Sequence, residues 1–240
     1  MYTPTRLPLR IYELFWAGFD WLFPPVCAGC GKMGERWCRE CSSTAHLCLP
    51  PFCPVCGQCQ KHTRLCLNCQ SQRPGYTELR SWAFFEGSLR NAIHQLKYER
   101  NVTLGDVLAK PLAALAGQLN WPCDFVVEVP LSAGRLQERG YNQAAFLARP
   151  IAMSFGVPLL SKCLWKVRET HSQVGLNAEE RVQNVNGAFA ASTRLAAGKD
   201  ILLVDDVMTT GATLNACAAA LKSAGARNVY GLTLARAVLN

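Results

Sequence analysis

Two groups of residues in this 240-residue chain have types and spacings that could do chemistry. The first is a set of four C-x2-C pairs: Cys27 and Cys30, Cys38 and Cys41, Cys53 and Cys56, Cys66 and Cys69. Two intervening residues let the backbone turn tightly round a tetrahedral ion, so each pair can supply two thiolates and the four pairs make two four-thiolate sites. Glycine follows the first and third pairs ("CAGCG", "CPVCG"), which permits the knuckle turn beneath a metal-bound sulfur. Soft thiolates in tetrahedral array favour Zn²⁺ in a structural role. Free buried cysteines would not fall into matched pairs, and no pair opens a helix after a core strand as a redox pair would. Gaps of seven residues (31–37) and nine residues (57–65) suit a hairpin, so the first two pairs are expected to share one ion and the last two the other, rather than to cross-brace. Cys48 and Cys59 lie outside the pairs and receive no role.

The second group is "ILLVDDVMTTGAT", residues 201–213. An apolar strand, Ile201 to Val204, would deliver its carboxyl end to the sheet edge where α/β proteins place their ligands. Thr209, Thr210, Gly211, Ala212 and Thr213 then offer backbone N–H groups and hydroxyls at the start of a helix, whose positive end favours a phosphate monoester. Gly211 allows the backbone to approach that phosphate closely. Asp205 and Asp206 carry the phosphate's own sign and suit a neighbouring polyol, either as hydrogen-bond acceptors or through a divalent cation. A phosphate beside a diol describes a ribose 5-phosphate.

These residues need elements to hold them. Ten of the thirteen cysteines lie between Cys27 and Cys69, and "SQRPGY" (71–76) reads as a linker after them. The expected organisation is an N-terminal amphipathic helix over 1–25, a cysteine module over 26–73 and an α/β domain over 74–240. In the first segment Ile11, Leu14, Phe15, Gly18, Phe19 and Leu22 form one apolar face. Lacking lysine, that face is expected to pack on its own protein rather than on a membrane or partner. From Leu79 onward strands and helices alternate, which implies a mostly parallel sheet with flanking helices. The last unit is read as strand 201–204, helix 213–224 closed by Gly225, and a final strand. Pro150 lies in "NQAAFLARPIAMSF" and is expected to kink or split that helix. Residues 166–184 read as an extended loop and a short helix.

Composition sets the surroundings. A formal charge of +8 favours anionic partners without choosing among them. It is spread over the chain, with 8 basic and 4 acidic side chains in residues 1–75 and 17 and 13 beyond. Glu13 and Asp20 interrupt the apolar N-terminal stretch, so no cleavable signal peptide is read, and no uncharged apolar run of spanning length appears. A cytoplasmic setting is expected, with at most a peripheral association with the inner membrane.

Residues 201–213 resemble throughout the phosphoribosyl diphosphate motif of type I phosphoribosyltransferases. "AIHQLKYERN" (92–101), "VPLSAGRLQERGYNQA" (129–144), "RETHSQVGL" (168–176) and "RVQNVNGAF" (181–189) resemble the signatures of the ComF family of competence and DNA-utilisation proteins, whose members also begin with paired zinc ribbons. The resemblance implies a double zinc-ribbon module before a type I phosphoribosyltransferase-like domain. It further implies that Pro130, Leu131 and Ser132 form a diphosphate loop with Arg135, Arg139 and Gly140 close by. Lys97 and Tyr98 would sit near that site, and Arg168, Thr170 and Gln173 would lie in a hood over the sugar. Mg²⁺ would accompany the diphosphate, and His94 and His171 read as ordinary polar residues. Two roles follow: a protein that binds phosphoribosyl diphosphate or a related sugar phosphate and handles incoming single-stranded DNA in natural transformation or DNA use, or a transferase that passes phosphoribose to a base in nucleotide salvage. The first is preferred. An adaptor docking on other DNA-uptake proteins is a weaker third reading.

Overall fold

The computed structural model describes residues 24–99, 101–170 and 178–238. The expected apolar face from Ile11 to Leu22 and the hood residues His171 and Gln173 lie outside them. The strands are β1 (Glu78–Phe84), β2 (Phe125–Glu128), β3 (Leu164–Lys166), β4 (Phe189–Ala191), β5 (Asp200–Met208) and β6 (Asn228–Arg236). The helices are α1 (Arg39–Ser43), α2 (Leu67–Ser71), α3 (Gly87–Tyr98), α4 (Leu104–Leu119), α5 (Ala133–Arg139), α6 (Gln143–Phe155), α7 (Ala178–Val185), α8 (Thr193–Ala196) and α9 (Ala212–Ser223).

Four strands form a parallel sheet in the order β1-β6-β5-β2. β5 and β6 take its centre because their near-continuous apolar runs can be covered on both faces. Alternation along β5 sends Ile201 and Leu203 to the face covered by Leu214, Cys217 and Leu221 of α9. It sends Leu202 and Val204 to the opposite face, against Leu96 of α3, Leu108 of α4 and Ile151 of α6.

The cysteine module straddles β1. Cys53, Cys56, Cys66 and Cys69 join the core on the α9 face, whereas Cys27, Cys41 and Trp37 join the core on the α3 face. Between them the module hydrogen-bonds to β1 itself: Phe84 N–H donates to His46 O (2.8 Å), Cys48 N–H to Trp82 O (3.0 Å) and Leu79 N–H to Val55 O (2.7 Å). The other edge, β2, is matched by Pro158 and Leu160, each within 2.9 Å of a Val126 backbone partner.

Three sequence expectations are corrected. β5 does not end at Val204 but runs to Met208, because β6 stays beside it as far as the pair Met208–Arg236. Pro150 does not split its helix: α6 is continuous, capped by the Asn142 side chain at one end and by left-handed Gly156 at the other. The missing Pro150 N–H removes one bond of the helix, and packing outweighs it. Gly105 of α4 lets Phe146 of α6 approach to where a Cβ would lie 2.5 Å from the Phe146 Cβ. Finally, Lys166 does not open the loop but ends β3, where it pairs with Phe189 of the antiparallel β4; strands of three residues are too short to show a period.

Candidate functional site

The carboxyl ends of β2 and β5 open into a cleft of about 930 Å³. Its floor is the turn after β5. Gly211 is left-handed (φ 82°) and caps α9, while Thr210 Oγ accepts from Ala212 N–H at 3.4 Å. The turn is tight: a Cβ on Gly211 would lie 2.7 Å from the Met208 terminal methyl. Thr209, Gly211, Ala212 and Thr213 all line the cleft at the amino end of α9. A phosphate at that end would meet backbone N–H donors.

Asp205 and Asp206 also line the cleft, but as consecutive residues of a continuing strand they leave it on opposite faces. Asp206 points to the α3 side, where its Oδ2 is 3.1 Å from Lys97 Nζ and has no hydrogen-bond partner among the described residues. Lys97 is therefore no solvated surface charge. Asp205 is on the α9 side and bends back to accept Asp206 N–H at 2.9 Å. That amide needs a side-chain acceptor because β2 has ended: Val129 N–H to Val204 O (2.9 Å) is the last ladder bond on this side.

Burial first, and then the charge of Asp206, push the Asp205 carboxyl up from 3.8 to about 8. Between those two values the folded chain holds a proton that the unfolded chain has released. The stability this contributes is complete below about pH 4 and is lost as pH rises through about 8. Asp205→Asn keeps the acceptor without the charge. It is expected to match the ligand-free wild type near pH 4 and to exceed it by about 1–3 kcal/mol near pH 8, read by urea unfolding. Parallel curves would contradict a buried, protonated Asp205.

The loop after β2 forms one wall, with Pro130, Leu131 and Ser132 lining the cleft. Ser132 is buried and caps α5, accepting Arg135 N–H at 3.4 Å. Arg135 and Arg139 face the cleft from α5. Arg139 donates to Gln143 Oε1 (2.8 Å), and its guanidinium lies 4.8 Å from the centre of the half-exposed Tyr98 ring. Tyr141 Oη donates to Leu96 O (2.6 Å) and Asn142 Nδ2 to Val129 O (3.0 Å), which fixes the turn that aims α5. His94, an exposed polar residue at the rim, has Glu99 Oε1 at 3.8 Å and the Tyr98 ring at 4.8 Å as neighbours.

The hood segment differs from expectation. Arg168 is turned away from the cleft: its Nη2 donates to Asn184 O (3.0 Å) and Asn186 O (2.9 Å), at the carboxyl end of α7. Lys166 faces the cleft instead, donating to Thr170 Oγ at 2.6 Å. Burial, with help from Arg135, lowers its pKa. Glu169 lies over the amino end of α5 within reach of Gly134 N–H (3.4 Å), and hydrogen bonds from Ser132 and Gly134 hold its carboxyl below the usual range. Lys166, Glu169 and Arg181, a further cleft residue, were not singled out from the sequence. The sequence does not separate Lys166 from Arg168, since residues two apart share a face of an extended chain; Arg168 is drawn away by Asn184 O and Asn186 O beyond the end of β3.

Away from the cleft, the sulfurs of Cys27, Cys30, Cys38 and Cys41 lie within 4.8 Å of one another, and so do those of Cys53, Cys56, Cys66 and Cys69. The grouping is sequential. Burial raises the Cys27 and Cys53 thiols, yet backbone N–H donors outweigh it and bring them down to about 6 and about 7. Cys38 N–H to Cys27 Sγ (3.3 Å) and Cys66 N–H to Cys53 Sγ (3.5 Å) are two of these. Sulfurs so arranged suit a tetrahedral Zn²⁺ without further ligands.

Comparison with known proteins agrees with both halves. The double zinc ribbon domain matches residues 18–72, and the phosphoribosyl transferase domain matches residues 142–237. Competence protein F of Haemophilus influenzae is 30% identical over 221 residues, 88% of this chain and 90% of that protein. The chain belongs to this competence and DNA-utilisation family. The DNA utilization protein YhgH of Salmonella typhimurium is 33% identical, covering 77% of this chain and 84% of that one. Competence protein ComFC of Bacillus subtilis is 27% identical, covering 85% and 86%. Among solved structures, a Thermoanaerobacter pseudethanolicus adenine phosphoribosyltransferase overlaps 59% of this chain and 84% of its own, at 14% identity and TM-score 0.37. The B. subtilis glutamine phosphoribosylpyrophosphate amidotransferase overlaps 54% of this chain at 21% identity and TM-score 0.39, and the chain spans 26% of it. As in its relatives' family, the cysteine module is a double zinc ribbon and the sheet is a phosphoribosyltransferase-type domain. Among the described residues no helix is long and apolar enough to cross a membrane.

Proposed function

We propose that the cleft binds phosphoribosyl diphosphate, or a related ribose 5-phosphate, and that this binding serves the handling of incoming single-stranded DNA in natural transformation or DNA use. The observation that carries the ligand class is the left-handed Gly211 turn at the start of α9, with an acid on each face of the preceding strand. The 5-phosphate would take the N–H groups of 211–213 and the hydroxyls of Thr209, Thr210 and Thr213. Asp206 would accept from the ribose hydroxyls, while Asp205, neutral near pH 7, would donate rather than accept.

Pro130 to Ser132, Arg135 and Arg139 would take the diphosphate, with Lys97, Tyr98, Lys166 and Thr170 around the sugar. Arg168 would act at a distance, by holding the hood segment to α7. The carboxylate of Glu169 now uses donors that a diphosphate would need, so it would have to leave. Mg²⁺, held by the diphosphate and at most one carboxylate, would neutralise charge. Asp206 Oδ2, now paired with Lys97 Nζ at 3.1 Å, would have to exchange that partner to take the ion.

The role in transformation or DNA use is supported by the relatives' names and by the positive charge of the chain. Single strands and other uptake proteins are the partners it implies, in the cytoplasm. Calorimetry with phosphoribosyl diphosphate and Mg²⁺ is expected to show one saturable site, weakened at least about tenfold in Asp206→Ala, a difference of about 1.4 kcal/mol. No heat with the wild type would defeat the proposal. Release of diphosphate in the presence of a base would replace it with the salvage transferase.

A further inference from the structure

The second ribbon and the phosphate loop are built against each other. Arg236 closes β6 and is buried, and its Nη2 donates to Cys56 O at 2.7 Å in the ribbon knuckle. The same Nη2 lies 3.1 Å from Met208 Sδ at the end of β5. Met208 in turn presses its terminal methyl against Gly211. Tyr76, packed in one cluster with Cys53, Cys56, Cys66 and Cys69, brings its hydroxyl to 3.8 Å from where a Gly211 Cβ would be. Gly75 N–H donates to Asn215 Oδ1 (2.6 Å) in the first turn of α9. The ribbon therefore reaches the end of β5 and the loop through Arg236, while Tyr76 and Gly75, just after it, meet the loop and the helix.

Charge gives these contacts a direction. Four thiolates around Zn²⁺ leave a net charge of −2, here among four buried sulfurs. A buried charge persists only when compensated. Arg236 Nη1 and Arg80 Nε are both buried without a hydrogen-bond partner among the described residues, and Arg80 Nη1 donates to Pro54 O (3.0 Å) in the same knuckle. Arg236, and Arg80 beside its own partner Glu78 (2.9 Å), thus bring guanidinium groups to the carbonyls of the knuckle that carries Cys53 and Cys56. The first site is different. It rests on the start of α3 through Ser88 Oγ–H to Cys41 O (2.8 Å) and Asn91 Nδ2–H to Gly29 O (3.4 Å), on the other face of the sheet.

We infer that Arg236 is a positioning residue that couples zinc held by Cys53, Cys56, Cys66 and Cys69 to the shape of the phosphate loop, so that a sugar phosphate in the loop tightens that zinc and leaves the other unaffected. Linkage makes the effect reciprocal. Only the identity of the ligand rests on the proposed function; the coupling itself does not.

Zinc release from the full, zinc-loaded chain into excess chelator, followed with a colorimetric indicator, tests it. Phosphoribosyl diphosphate with Mg²⁺ is expected to slow one of the two ions by about tenfold and leave the other unchanged. Arg236→Met, which removes the charge and the one nitrogen that donates to both Cys56 O and Met208 Sδ, is expected to erase that difference. Release rates that ligand leaves unchanged for both ions, with binding verified by calorimetry, overturn the coupling. A ligand-free arm separates the two ideas. Amide hydrogen exchange at 209–213 should rise about tenfold in zinc-loaded Arg236→Met while β2 stays protected. Unchanged exchange there also overturns the coupling, whereas raised exchange in a chain that gives no heat with the sugar phosphate upholds it and removes the ligand assignment.

Discussion

Replacing Cys69 by serine is expected to release one of the two zinc ions and to lower the midpoint of thermal unfolding by about 10 °C or more. A structural zinc site supplies about 10–16 kcal/mol in small modules, as much as the whole net stability of a typical domain. The loss does not stay in the ribbon. Cys69 shares a core with Val127, Leu203 and Leu221, so an unfolded knuckle uncovers the α9 face of the sheet and the buried Tyr76. Losing even 3–4 kcal/mol from a chain of this size moves the midpoint by about 10 °C. Cys30→Ser, at the exposed corner of the first site, should release the other ion with a smaller shift. Metal analysis and calorimetric scanning decide it. A Cys69→Ser protein that retains both ions, or melts with the wild type, would contradict a structural zinc at that site.

Gly211→Ala is expected to abolish useful binding of the sugar phosphate, a loss of at least about a hundredfold, or about 2.7 kcal/mol. Two separate costs arise. The left-handed backbone at φ 82° disfavours any Cβ by about 1–2 kcal/mol. The new Cβ would also sit 2.7 Å from the Met208 methyl, so either the turn or Met208 must move. Met208→Ala in the same chain should relieve the second cost and not the first, so a double-mutant cycle separates them. Calorimetry on the four proteins reads affinity and urea unfolding reads stability. Wild-type affinity in Gly211→Ala would mean that the phosphate is held elsewhere.

The two cysteine tetrads and the tight turn at Gly211 were legible because each is written locally. Two residues between cysteines, or a glycine after two threonines, carry their geometry with them. What could not be read depends on distant partners. β5 continues through Asp205 and Asp206 because β6 stays alongside, and no residue of 201–213 announces that. The opposite directions of the two acids follow from the same continuation. Arg168 leaves the cleft because Asn184 O and Asn186 O, distant in sequence, accept from it. Arg236 meets Cys56 from the far end of the chain, and in the sequence it is simply another arginine. Pro150 misled in the other direction, since one missing bond is a small loss in a helix held at both ends and along its length.

The position of β6 sets the order in which the protein can be made. It lies between β1 and β5, with Tyr230 opposite Glu78 on one side and Leu202 on the other, so β1 has no strand partner in this sheet, and β5 has only β2, until β6 is made. At ordinary elongation rates that is a wait of roughly ten to thirty seconds after β1 emerges from the ribosome. Over that interval the ribbon can already hold its metal and occupy one side of β1, leaving the other side open to a chaperone. Assembly of the cleft thus waits for β6.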